Sequence, residues 1–89
     1  SKSEYDRQLA QAAALSAEKD SLLSEVVATS QFISEVNGEI DKVRSGQPVQ
    51  ARDGEMEQLS PTEARAQLVT RVQELTARVK QAEDRMAQS

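Results

Sequence analysis

The sequence predicts an all-α fold: an antiparallel coiled-coil helical hairpin that pairs with a second copy into a four-helix bundle. Three observations carry this expectation. Two long segments each carry a heptad pattern of apolar residues, their flanking g positions carry opposite charges, and a Pro- and Gly-containing stretch with a helix-start signal separates them. With Tyr5 at heptad position a, the first segment places Ala12, Lys19, Val26, Ile33 and Ile40 at a. It places Gln8, Leu15, Leu22, Thr29, Val36 and Val43 at d. The second segment repeats the heptad from its own start, with Leu68, Leu75 and Ala82 at d and Val72, Val79 and Met86 at a. Glu18, Glu25, Phe32 and Glu39 occupy g in the first segment, Arg71, Arg78 and Arg85 in the second. Antiparallel seams bring g against g, so acid meets base when the chain folds back on itself.

Helix one is expected from about Ser3 to Arg44, on the order of 60 Å at ~1.5 Å per residue. Gly46 suits a left-handed C-terminal cap, Lys42 and Arg44 favour the negative end of the helix dipole, and Pro48 blocks continuation. The pair Asn37-Gly38 is a turn signal elsewhere. Here both residues fall at outer positions while Val36, Ile40 and Val43 keep the heptad, so the helix is read through them at a cost of about 1 kcal/mol for the glycine.

The connector, residues 45–60, contains one proline and two glycines without an apolar period. It exceeds the ~2–8 residues usual between bundle helices. Helix two, about 61–87, opens on Ser60-Pro61-Thr62-Glu63. Ser60 can cap backbone amides, Pro61 sits where its missing donor is harmless, and Glu63 can complete a capping box.

Matching seam to seam so that paired residue numbers sum to about 108 fills every layer. Ile40 then faces Leu68, Val36 faces Val72, Ile33 faces Leu75, Thr29 faces Val79, Val26 faces Ala82 and Leu22 faces Met86. Glu39 meets Arg71 and Glu25 meets Arg85. In this register residues before about Lys19 project beyond helix two while still presenting Tyr5, Leu9, Ala12 and Leu15. Lys19 and Arg65 are polar intrusions at a, read as side chains that snorkel from the seam ends. Leu9, Leu23 and Phe32 lie beside the seam and widen the apolar stripe beyond what a two-stranded coil uses. A homodimer follows, with Leu22, Val26, Ile33, Val36, Ile40, Leu68, Val72, Leu75, Val79 and Met86 as its seam.

The chain has 89 residues, 37% hydrophobic and only two aromatics, Tyr5 and Phe32, which excludes a thick globular core. A net charge of -4 argues against binding a nucleic-acid backbone or an anionic membrane. There is no cysteine for a disulfide or thiolate site, and no histidine for general-base or zinc chemistry. The expectation is therefore no enzyme, no cofactor and no catalytic or metal-binding residue. Ser16, Ser21, Ser24 and Thr29 have no base to activate them. No apolar stretch approaches the ~20 residues of a membrane helix, so no direct insertion is expected. Asp53, Glu55 and Glu57 alternate in the connector and are the candidate partner contact. Three carboxylates in a loop are ordinarily a solvated turn, and they lack calcium-loop spacing. Transcript-cleavage factors place acids at the tip of a similar hairpin, which makes a cytoplasmic adaptor or acidic-tip regulator the alternative function.

The opening Ser1-Lys2-Ser3-Glu4-Tyr5-Asp6, followed by Gln- and Ala-rich heptads with Glu18-Lys19-Asp20, resembles mature N-terminal regions of bacterial envelope lipoproteins. The likeness covers about the first twenty residues. It implies a lipidated cysteine upstream of Ser1, Ser1 to Ser3 beside the membrane, and a rod projecting into the periplasm as a spacer or protein-interaction module. The peptidoglycan-binding domain that many such lipoproteins carry lies outside the match.

Overall fold

The computed structural model describes residues 1–46 and 59–88. Two α-helices make up the described chain, α1 over Lys2–Arg44 and α2 over Pro61–Gln88, and they pack against each other as an all-α hairpin. Both starts are capped by serine. The Glu4 amide donates to Ser1 Oγ at 3.3 Å, and the Glu63 amide donates to Ser60 Oγ at 3.2 Å. Each bond satisfies one of the amide donors that a first helical turn leaves open, worth about 1 kcal/mol. At the other end of α1, Gly46 turns left-handed at φ 77° and its amide donates to the Val43 carbonyl at 3.1 Å. A residue with a Cβ is strained in that conformation, which is why the helix stops on glycine. Gly38, by contrast, is an ordinary helical residue on the outer surface with open space around it, and α1 runs through Asn37-Gly38 unbroken.

The contacts divide the chain into two compact units, Ser1–Val27 with Gln73–Ser89, and Ala28–Val72. In the first, Leu75, Val79 and Ala82 of α2 are buried. Ala12, Leu15, Lys19, Leu22 and Val26 of α1 are half-buried. Lys19 Nζ donates to Glu83 Oε2 at 3.3 Å. Those two numbers sum to 102, about one heptad from the register expected from sequence. Extending the heptads from this pair sets Leu15 at the level of Met86, Leu22 at that of Val79 and Val26 at that of Leu75. Leu15 and Arg85 also line one shallow concavity with Gln11, Ala14 and Gln88. The expected pairings of Leu22 with Met86 and Val26 with Ala82 are therefore corrected by one heptad. So is the expectation that everything before Lys19 stands beyond helix two.

In the second unit Val36 and Ala64 are buried, and Thr29, Ile33, Ile40, Leu68 and Val72 are half-buried. Arg65 Nε donates to Asn37 Oδ1 at 2.9 Å, again a sum of 102. Ile33 then stands at the level of Leu68, Thr29 at that of Val72 and Ile40 at that of Pro61. This corrects the pairings of Ile40 with Leu68 and Val36 with Val72. Ile40 and Val43 share a surface depression with Arg44, Ser60, Pro61 and Thr62. The seam closes there, and Val43, expected at d, is 54% exposed. Arg65, expected at a, is solvent-exposed. Its neighbour Ala64 takes the buried place at 0% exposure, because a methyl group can enter the close approach at the start of α2 where a guanidinium would lose its hydration.

The cause of the difference is the periodicity itself. A slip of seven residues returns every seam position to a seam position, so the heptad alone cannot choose. The adopted register covers Ala12 and Leu15, gives Lys19 a carboxylate, and leaves Val43 outside. The expected one would have covered Val43 and left two apolar residues and a lysine in water. The adopted register keeps the charge logic, since Glu25 moves from the level of Arg85 to about that of Arg78.

Candidate functional site

The described residues contain no group of three or more acidic, histidine or cysteine side chains placed to hold a metal ion. No described helix is long and apolar enough to cross a membrane. Asp53, Glu55 and Glu57 lie outside the described residues.

The two units do present exposed apolar side chains on α1. Six large apolar side chains are exposed: Tyr5, Leu9, Leu23, Val27, Phe32 and Val43, each between 41% and 64%. They have two origins. Tyr5 and Val43 are seam positions beyond the reach of the pairing, whereas Leu9, Leu23, Val27 and Phe32 lie on the flanks of α1. Scattered single apolar residues on a surface need no explanation, but three of these flank positions, Leu9, Leu23 and Val27, belong to one unit and one side of one helix.

Of the seam residues read from sequence, Leu75 is fully buried and Val36 and Val79 nearly so. Leu22, Val26, Ile33, Ile40, Leu68, Val72 and Met86 are half-buried. Val27, with 58% of its surface exposed, is the flank residue that sequence reasoning missed. It sits at outer position b, where a valine is out of place on a solvated face, and that was the available signal.

Lys19 keeps its stem along the seam and places its ammonium on Glu83, with 31% of its side chain exposed. This is snorkelling, yet it occurs inside the paired stretch, between the levels of Leu15 and Leu22, and not at its end. Opposite it stands Ala82, 1% exposed, so a long polar residue and a short apolar one share a layer. No protein-family model, curated protein or solved structure matches the chain.

Proposed function

We propose that this chain is a non-enzymatic coiled-coil spacer and protein-interaction module that self-associates, set in the bacterial cell envelope. The observation that carries self-association is the mismatch between a thin core and a wide apolar surface. Leu75 is the only large side chain that is fully buried among the described residues, and six others of comparable size stand exposed. A single seam without a disulfide or metal is a marginal fold at this length, and a second helical layer is the usual remedy. Sedimentation equilibrium over a hundredfold concentration range is expected to give a mass that rises to that of a dimer. A folded species of constant monomer mass would end this reading.

The envelope setting rests on the likeness of Ser1 to Asp6 and the following heptads to lipoprotein N-termini. It predicts a cysteine codon immediately upstream of Ser1, preceded by a signal segment. Any other residue in that place, in the gene, removes the lipid anchor and the setting with it.

A further inference from the structure

Within the unit of Ser1–Val27 and Gln73–Ser89 the two flanks of the seam differ in kind. One flank, built from positions g and c, carries Glu18 and Glu25 from α1 and Glu74, Arg78 and Arg85 from α2, with none of the exposed large apolar residues. The other, built from e and b, carries Leu9, Leu23 and Val27, 57%, 41% and 58% exposed, interspersed with Ala13 and Ser16. Its contribution from α2 includes the uncharged Gln73 and Thr76. Glu83 also belongs to this flank, and Lys19 reaches across the seam to hold it. That leaves Lys2, Asp6 and Asp20 on α1 against Lys80 on α2. Both Asp20 and Lys80 are exposed and take no part in an ion pair among the described residues. Burial is lopsided too: Leu75, Val79 and Ala82 of α2 are covered, while Leu15, Leu22 and Val26 of α1 stay half-open.

We propose that a second copy of this chain covers the e and b flank, with α1 of one copy laid against α2 of the other about a two-fold axis parallel to the helices. This rests on the self-association proposed above and adds which face is used and how the copies are turned. Charge selects the arrangement. Laying α1 against α1 would bring Asp6 and Asp20 of each copy onto the shared face, with Lys2 at the far end of the helix as the one base. Laying α1 against α2 brings Asp20 to Lys80 of the second copy, and symmetry makes the pair twice. The levels agree, because Lys80 lies two positions from the residue level with Asp20, roughly 3 Å along the axis. Leu23 and Val27 then lie over the uncharged stretch around Gln73 and Thr76 of the second copy, and the half-open side of α1 is closed. The g and c flank, which carries acids and bases of its own chain, faces water.

Two sets of variants test the proposal by sedimentation. Replacing Leu23 and Val27 together by lysine is expected to weaken the dimer at least a hundredfold, whereas Ala14→Lys with Ser21→Lys, on the opposite flank, leaves it unchanged. The decisive set changes only exposed charges and leaves the fold of each copy intact. Asp20→Lys alone and Lys80→Asp alone should each weaken the dimer about three- to tenfold. Mixed one to one, the two variants should regain wild-type affinity, since each mixed dimer has two opposite-charge pairs. A wild-type chain that is monomeric throughout sinks self-association itself, and leaves this flank to a helix of another protein. A wild-type dimer whose mixture binds no better than either variant alone sinks the assignment of face and axis only.

Discussion

Leu75→Ala is expected to lower the unfolding free energy by about 2–5 kcal/mol, the range for deleting a buried leucine side chain where the surroundings close only partly. Leu75 is 0% exposed, in the unit with Val79 and Ala82, and a central position in a narrow seam leaves few neighbours able to move into the space. A domain of this length with no cross-link has a stability of only a few kcal/mol, so the variant should be largely unfolded at 25 °C. The check is urea unfolding followed by far-ultraviolet circular dichroism at one fixed protein concentration, because association contributes to apparent stability. Val43→Ala is the matched comparison. Val43 is 54% exposed beyond the end of the pairing, and its truncation should change stability by no more than about 0.5 kcal/mol. Equal losses in the two variants would mean that the seam ending at Ile40 is misplaced.

That contrast also marks what was legible in the sequence. The helices, their caps and their seam positions are written locally: Ser60-Pro61-Thr62-Glu63 starts one helix, Gly46 ends the other, and apolar residues at spacings of three and four define the buried stripe. The burial of Leu75, Val79 and Val36 against the exposure of Asp20 and Lys80 follows from such spacing alone. Register is a different kind of information. It depends on comparing distant segments whose patterns repeat, and the comparison turns on a few non-repeating residues. Leu68 pulled the expectation one way because it fills a layer with Ile40 near the connector. Lys19, Glu83, Asn37 and Arg65 mark the adopted register, through two polar contacts that are visible only when both helices are placed. Arg65 shows a second limit. It holds a seam position in the heptad, but the close approach at the start of α2 admits Ala64 instead, and no periodicity distinguishes a residue from its neighbour there. The candidate interaction face was half legible, since Leu9 and Leu23 stand out beside the seam. Val27 did not, and the polarity of one flank against the other appears only once Lys19 is seen to hold Glu83.

Register is also where an experiment gives an all-or-none answer. The chain has no cysteine, so two introduced cysteines report on one distance without background. Lys19→Cys combined with Ala82→Cys puts the pair in one layer of the adopted register, and mild oxidation should close the disulfide nearly quantitatively. Val26→Cys combined with Ala82→Cys, the layer expected from sequence, is displaced by seven residues, about 10 Å along the axis. A disulfide cannot span that, since its Cα atoms lie within about 7 Å. The expected result is an oxidised band of raised gel mobility for the first pair and free thiol for the second, at concentrations low enough that links between copies are negligible. Closure also reports on Lys19 itself. Replacing it removes the bond to Glu83, so a disulfide that still forms in high yield shows that the apolar layers around Leu22 and Val79 hold the alignment. Loss of closure restored by low salt would assign the alignment to the flanking charges, Glu25 with Arg78 and Glu18 with Arg85, whose attraction is screened beyond about 10 Å at 0.1 M salt. Oxidation of the second pair in preference to the first would overturn the register, and with it the level at which Asp20 and Lys80 were matched.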